Sequence, residues 1–170
     1  MSKRMGLVLA VLVGAAPAPA QDFSKVKVRA EKVAGDVWML TGQGGNIGVL
    51  AGEDGVVLID DQFAPLSDKI RAAVAGVSAK PIRFLLNTHY HGDHSGGNAE
   101  FGKTGTVILA HDNVRKRLSV RQFNDFLKKE TLPQPKAGLP VVTFAESISL
   151  HLNGETVTAV HVPPAHTDGD

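Results

Sequence analysis

The sequence predicts an α/β protein with mixed β-sheets. Segments with helical periodicity alternate with short apolar segments that are typical of strands. The first strands are joined by hairpin signals, of which Glu53-Asp54-Gly55 is the clearest. Together these features indicate a layered α/β architecture, and a length of 170 residues fits one domain.

Residues 1–20 have the three parts of a secretory signal peptide. Lys3 and Arg4 precede an apolar segment, and Ala18-Pro19-Ala20 is a small-residue cleavage site. The apolar segment has about eleven residues, whereas roughly twenty are needed to span a bilayer. We therefore expect cleavage after Ala20, a domain over 21–170, and a periplasmic or secreted protein with no membrane attachment after cleavage.

Charge and cysteine content restrict the partners. Without residues 1–20, sixteen basic and seventeen acidic residues remain, a net charge of −1 that gives no electrostatic footprint for nucleic acid. The densest basic stretch, Arg115-Lys116-Arg117 with Arg121, Lys128 and Lys129, falls on a predicted helix and is interpreted as solvated surface. No cysteine is present, so disulfides and lipid attachment are excluded. A small-molecule substrate is expected, and the oligomeric state stays open.

The predicted elements follow one another closely along the chain. Residues 26–33 alternate apolar and charged side chains, as a half-buried strand does, whereas 56–59 is apolar throughout and suits burial on both faces. A helix is predicted from Pro65 to Val77, and a second begins near Asp112. Prolines make 131–140 irregular. The other strands are predicted at 37–41, 46–51, 82–86, 106–110, 141–144, 147–152 and 155–162.

The stretch from Asn87 to Gly97 reads N-T-H-Y-H-G-D-H-S-G-G and carries four potential metal ligands, which are His89, His91, Asp93 and His94. Imidazole and carboxylate suit zinc and related metals. His89 and His91 share a side if the backbone is extended. Asp93 and His94 lie beyond Gly92 and can turn toward a neighbouring position. The spacing therefore indicates two adjacent metal sites.

The segment T-H-Y-H-G-D-H resembles the H-x-H-x-D-H signature of metallo-β-lactamase-fold hydrolases, and A-H-T-D-G-D at 165–170 resembles their second motif. The resemblance implies a four-layer αβ/βα sandwich with the metal site at one edge between two sheets. This chain would hold the first half and the start of the second. The remaining ligands of the second metal are expected downstream of Asp170, so the chain is expected to be incomplete at its C-terminus.

The resemblance also implies the ligand sets: His89, His91 and His166 for the first metal, and Asp93 and His94 for the second. Three neutral imidazoles leave a fourth zinc position to water, whose pKa falls to about 7. Metal-held hydroxide would attack a carbonyl carbon, with Asp93 aiming it. A second ion about 4 Å away would steady the leaving group. A histidine at position 91 favours Zn²⁺ over iron, and two Zn²⁺ are expected in the full-length protein.

Several other side chains have predicted roles. Asp60 ends strand 56–59 and resembles the family's aspartate that supports the ligand loop from beneath, whereas Asp61 is a weaker candidate. His111 is expected to cap or pack, and His151 and His161 to lie on strand surfaces. In the second loop, Asp168 and Asp170 are expected to make turn hydrogen bonds.

Three interpretations of function stay open. The first is a zinc hydrolase for β-lactams, favoured by the resemblance and by export. The second is a thioesterase of the glyoxalase II kind or a lactonase, because one fold serves many substrates. The third belongs to another class: a catalytically silent metal-binding fragment that lacks the second half of a dinuclear site.

Overall fold

A computed structural model describes residues 21–124 and 128–170. Eleven strands lie in these ranges: β1 (Arg29–Ala34), β2 (Val37–Thr41), β3 (Ile47–Gly52), β4 (Gly55–Ile59), β5 (Ile82–Leu86), β6 (Val107–His111), β7 (Gln122–Asn124), β8 (Lys129–Thr131), β9 (Val142–Phe144), β10 (Ser147–Leu152) and β11 (Glu155–Val160). The α-helices there are α1 (Ser67–Ala75), α2 (Gly92–Ser95), α3 (Asn98–Gly102) and α4 (Asp112–Leu118). Two 3₁₀ turns, Ala64–Leu66 and Lys136–Gly138, complete the elements.

A seven-stranded mixed sheet with the order β1-β2-β3-β4-β5-β6-β9 organises the described chain, which confirms the predicted fold class. Strands β1 to β4 form an antiparallel meander, and β4, β5, β6 and β9 run parallel. Helix α1 connects β4 to β5, and α2 and α3 connect β5 to β6. The carboxyl ends of the parallel strands therefore meet at one edge of the sheet, where α/β proteins place their sites.

The core lies around β4 and one face of α1. Val56, Val57 and Leu58 have no exposed surface, which confirms the predicted burial of this strand on both faces. Ile70 and Val74 are buried on α1, one turn apart, as the predicted apolar stripe requires. Both segments belong to one hydrophobic cluster, so the sheet edge that carries the site rests on a rigid base.

Strand β1 differs from the prediction for 26–33. It begins at Arg29, and all six of its residues are exposed, because it is an edge strand with β2 as its neighbour in the sheet. The apolar side chains that reach the core come from the preceding segment, where Val26 and Val28 pack against the main cluster. The predicted half-buried strand is therefore wrong in position and in burial.

The predicted helix through the basic stretch is wrong beyond Leu118. Helix α4 ends there, and the Leu118 carbonyl accepts a hydrogen bond from Gln134 N instead of from a further helical turn. Arg121 follows the helix, and Lys129 begins β8, which pairs with β7. The chain thus forms a small hairpin beside the site in place of a longer helix.

Two further predictions concern the ends of elements and of the chain. The hairpin predicted at Asn153-Gly154 is confirmed between β10 and β11, with both residues in the left-handed region. The predicted signal peptide, 1–20, lies outside the described residues. In the part of the chain that the structure describes, no helix has the length and apolar character needed to cross a membrane.

Candidate metal centre

The first ligand loop leaves the sheet at the end of β5. His91 has extended backbone angles and immediately precedes α2, so Asp93 and His94 lie on a helical turn that begins at Gly92. The loop is thereby divided into an extended part and a helical part. This division is the local reason why four ligand-type residues form two groups.

Three histidines from the two ligand loops come together. The ligand atoms offered by His89, His91 and His166 all lie within 4.8 Å of one another. His91 Nδ1 and His166 Nε2 are 3.0 Å apart, and the His89 ring centroid is 4.9 Å from that of His91 and 5.1 Å from that of His166. His89 is buried, whereas His166 is exposed. Residues 75 positions apart thus present one cluster of imidazole nitrogens.

Hydrogen bonds around Asp60 select the tautomers of two histidines. Thr88 Oγ1 donates to Asp60 Oδ2 at 2.7 Å and therefore has no proton left for His89 Nδ1, 3.1 Å away. His89 Nδ1 must then be the donor. His94 Nδ1 likewise donates to Asp60 Oδ2 at 2.7 Å. Both rings consequently keep the Nε2 lone pair free, as a metal ligand requires.

The charge state of the cluster suits a cation. Burial, together with the neighbouring imidazoles, lowers the pKa of His89 and of His91. Both rings are therefore neutral at neutral pH, which is the ligating form. The hydrogen bond to Asp60 raises the pKa of His94, so protons compete with a metal for this ring up to a higher pH than for an ordinary histidine. Three imidazoles with converging nitrogens fit zinc by ligand type.

Asp93 and His94 stand beside this cluster as a second pair. His94 Nε2 is 3.5 Å from Asp93 Oδ2, and the His94 ring centroid is 4.2 Å from that of His89. A carboxylate and an imidazole at this separation can share a cation. Ligation by the five residues, and a catalytic role for Asp93, stay predictions.

Asp60 lies beneath the loop in the position expected of a supporting carboxylate. It is buried, and besides the two contacts at Oδ2 its Oδ1 accepts a hydrogen bond from Thr88 N at 2.7 Å. Asp61, the weaker candidate, is also buried, and its Oδ1 accepts from Gly97 N at 2.9 Å. Its other oxygen has no partner among the described residues, and burial raises the pKa of Asp61 well above its ordinary value. Both aspartates thus contact the ligand loop.

The second ligand loop, 163–170, is held in two ways. Asp170 accepts hydrogen bonds from Thr167 N and Oγ1, the turn role expected of it. Asp168 was predicted to do the same, but its carboxylate instead pairs with Arg117 of α4 at 2.8 Å. The guanidinium holds the pKa of Asp168 below its usual range. Asn113 Nδ2 adds a bond to the Asp168 carbonyl, so α4 anchors the loop that carries His166.

The remaining histidines lie outside the cluster. His111 caps α4 by accepting a hydrogen bond from Asn113 N, which agrees with the expected capping role. His151 is exposed on β10, as predicted. The prediction for His161 is wrong: it follows the end of β11, is half-buried, and stacks on His111 with ring centroids 3.8 Å apart.

A groove of about 750 Å³ opens beside the ligand loop. Tyr90, His91 and Asp93 line one side of it. Its other walls are mainly apolar and come from the segment before β1, the turn before α1, and the region of β7 and β8; they include Phe23, Phe63, Pro65, Leu118, Val120 and Leu132. The groove gives a small molecule access to the metal-ligand residues.

Sequence reasoning missed three contributors to the site. Thr88 could have been suspected, because it lies between the strand end and His89. Arg117 carried no local signal, since its partner Asp168 is 51 positions away. Gln62 is fully buried and bonded to a glycine-rich turn, although a glutamine after two aspartates reads as exposed loop. The contributions of Arg117 and Gln62 are visible only in the tertiary contacts.

The structure is that of a mixed-sheet α/β protein with a histidine cluster after β5, and sequence comparison names the family. The sequence model of the metallo-beta-lactamase superfamily matches residues 40–170, and the chain belongs to this superfamily. The 2,4-dinitroanisole O-demethylase subunit alpha of Nocardioides sp. (strain JS1661) is 24% identical over 156 residues. That match covers 91% of this chain and 44% of the relative.

Solved structures support the fold. The class B3 di-zinc metallo-beta-lactamase LRA-12 from an Alaskan soil metagenome superposes with a TM-score of 0.73 at 17% identity, over 90% of this chain and 59% of that one. The metallo-beta-lactamase with a HARLDQ motif from Cronobacter sakazakii superposes with a TM-score of 0.71 at 21% identity. That match covers 84% of this chain and 56% of the other. The chain thus spans a little over half the length of these structures and less than half of the curated relative.

Proposed function

We propose that the protein is a zinc-dependent hydrolase that adds water to the carbonyl group of a small molecule, with β-lactams as the favoured substrates. The observation that carries this proposal is the cluster of His89, His91 and His166, of which His91 lines a mainly apolar groove. Membership of the superfamily supports hydrolysis as the reaction class. Because the chain spans only part of its relatives, the activity is proposed for the full-length protein.

The three imidazoles would hold the first zinc ion through nitrogens that already converge within 4.8 Å. Such a zinc, when bound, supplies an activated water and a Lewis acid for the carbonyl oxygen. Two zinc ions per full-length protein are proposed, with Asp93 and His94 contributing to the second. Asp60 keeps His89 and His94 in the tautomer that leaves Nε2 free.

Asp93 is proposed to orient the attacking water and to hold its proton. Its carboxylate is about two-fifths exposed, lines the groove and lies 3.5 Å from His94 Nε2. A carboxylate in this place can accept a hydrogen bond from water without leaving the loop. Tyr90 and the apolar walls would hold the substrate while its carbonyl meets the histidine cluster.

The substrate is the least constrained part of the proposal. β-Lactams are favoured by the resemblance and by the proposed signal peptide, which would place the protein in the periplasm or outside the cell. Thioesters and lactones offer the same carbonyl chemistry. The O-demethylase name of the curated relative adds 2,4-dinitroanisole to the compounds worth assaying. Each is a distinct outcome of one experiment.

The test is zinc content by elemental analysis combined with turnover assays on the purified full-length protein. Nitrocefin, a thioester, a lactone and 2,4-dinitroanisole form the panel. Two zinc ions with nitrocefin turnover would establish the favoured function. Zinc with turnover of another panel member would redirect the substrate, and zinc without any turnover would favour the silent metal-binding reading. Absence of stoichiometric metal would overturn the proposal.

A further inference from the structure

Gln62 occupies an unusual position for a polar residue. It follows β4 and the two aspartates beneath the ligand loop, its side chain has no exposed surface, and its backbone lies in the left-handed region at φ 56°. Left-handed backbone is unfavourable for a non-glycine residue, and burial of an amide requires hydrogen-bonding partners. Such a combination persists where surrounding contacts hold it in place.

The partners of the Gln62 amide lie on the turn between β2 and β3. Its Nε2 donates to the Gly45 carbonyl, and its Oε1 accepts from Gln43 N at 3.3 Å. Its backbone carbonyl accepts from Gly97 N at 3.1 Å, at the far end of the ligand loop. Gln62 therefore links the glycine turn, Gly42–Gly45, to the end of the ligand loop at Gly97.

The opposite side of the glycine turn lies against Asp93 and His94. A Cβ added at Gly44 would be 2.8 Å from Asp93 Cβ, and one at Gly45 would be 2.3 Å from His94 Cε1 and 2.7 Å from His94 Nε2. Real Cβ atoms do not come so close to neighbouring atoms, so the turn fits only as glycine while both side chains keep their places. The turn thus lies between the Gln62 amide on one side and the side chains of Asp93 and His94 on the other.

His94 is consequently held from two directions. Asp60 Oδ2 accepts from Nδ1 at 2.7 Å, and the Gly45 backbone borders the edge of the ring that carries Cε1 and Nε2. One contact selects the tautomer, and the other limits rotation of the ring. Together they keep Nε2 directed toward Asp93 Oδ2 at 3.5 Å.

We propose that Gln62 is a positioning residue for the Asp93–His94 pair, acting through the glycine turn Gly42–Gly45. This inference rests on the proposed function, because its consequence is affinity for the second metal ion. Gln62 touches neither ligand. Its role is to hold the turn close enough that His94 cannot swing away from Asp93.

Two variants of the full-length protein test the inference. Gln62→Met keeps the volume but removes both side-chain hydrogen bonds. Gly45→Ala leaves them intact and obstructs the His94 ring, without backbone strain, since Gly45 is not in the left-handed region. Gln43→Met is the matched control, because that glutamine is exposed on the same turn and contributes only its backbone N–H.

The first readout is zinc affinity by competition with a chelator. We expect both variants to bind the second ion roughly 10- to 100-fold more weakly, the usual cost of losing an outer partner of a metal ligand. Affinity for the first ion and all properties of Gln43→Met should match the wild type. Wild-type affinity for the second ion in both variants would overturn the inference.

The second readout needs no metal. Magnetic resonance of isotope-labelled histidine in the metal-free protein reports the tautomer of His94, with Asp60→Asn identifying its signal. A single form with the proton on Nδ1 is expected in the wild type, and a mixture in Gln62→Met. If the wild type binds no zinc, the proposed function fails, and this readout alone decides the positioning role. Should Gln62→Met not fold, Gln62→Asn provides both measurements, because asparagine tolerates the left-handed backbone but is one methylene too short to keep both hydrogen bonds to the turn.

Discussion

The two ligand loops are built differently. The loop from Asn87 to Gly97 is anchored from below by buried carboxylates, and its ends are joined by reciprocal side-chain amide bonds between Asn87 and Asn98 at 3.0 and 2.8 Å. The loop at 163–170 is half-exposed to exposed apart from Gly169, and it is joined to α4 by a surface pair between Asp168 and Arg117 and by one hydrogen bond from Asn113.

This difference assigns separate tasks to the two halves of the centre. Several buried hydrogen bonds hold the first loop, so its histidine rings are already oriented without a metal. Less conformational entropy would therefore be lost when a metal binds. The second loop contributes His166 from a weakly held segment, which can adjust when an ion binds. The first loop therefore sets geometry, and the second completes it.

Removal of a ligand should have the largest effect and should separate the loops. His89→Ala, His91→Ala and His166→Ala should each lower first-site zinc affinity by more than the roughly 100-fold that an outer partner costs, and should abolish turnover. In the metal-free protein, exposed His166→Ala should change the free energy of unfolding by less than about 0.5 kcal/mol. Buried His89→Ala should change it more.

Elemental analysis, activity assays and denaturant titration measure these effects, and exposed His151→Ala serves as the control. Full activity in a zinc-free His166→Ala protein would contradict the ligand assignment. Equal destabilisation by the alanine variants of His89 and His166 would contradict the difference between the loops.

Asp60→Asn should have the next largest effect, because it weakens the base of the first loop. Asparagine tolerates the left-handed backbone at φ 66°, so the change acts through the side chain. Its amide has one acceptor oxygen, which cannot accept from Thr88 N as well as from Thr88 Oγ1 and His94 Nδ1. We expect about 1–3 kcal/mol of destabilisation and a roughly 10- to 100-fold loss of zinc affinity. Denaturant titration and chelator competition measure both, and Asp36→Asn in an exposed turn is the control.

Breaking the anchor of the second loop should have a smaller effect. Arg117 and Asp168 are each about two-fifths exposed, and exposed pairs contribute at most about 1 kcal/mol. Arg117→Ala and Asp168→Asn should therefore change stability by less than that and weaken zinc binding only several-fold. A double-mutant cycle at low and high salt measures the coupling, which should shrink as salt rises. Salt-independent coupling would count against an ion-pair origin.

Asp61→Asn should produce the smallest effect, visible as a pH dependence. Burial raises the folded-state pKa of Asp61, so between the unfolded value of about 3.9 and the folded value the folded protein binds more protons. Stability then falls as pH rises through this window. The asparagine variant does not titrate, so its stability relative to the wild type should increase as the pH rises toward neutral. Urea titrations from pH 4 upward measure the difference, and parallel curves would contradict it.

The sequence alone predicted much of the protein because the relevant signals are local. Strand and helix periodicity indicated the mixed sheet, and the dense ligand types after β5 indicated a loop whose histidines the structure brings together with His166. The two motifs indicated the superfamily, which the family match confirms. The hairpin signals Glu53-Asp54-Gly55 and Asn153-Gly154 were also sufficient, because a tight turn depends on the φ angles of its own residues, which are positive at Gly55, Asn153 and Gly154.

Tertiary structure decided whatever depends on partners distant in sequence. Nothing near Asp168 indicates that it pairs with Arg117, and the end of α4 depends on Gln134 taking the Leu118 carbonyl. Burial of Gln62 against the glycine turn likewise has no local signal. A sequence pattern reports the preferences of neighbouring residues, whereas the orientation of a ligand depends on which distant groups fill the space and the hydrogen bonds around it.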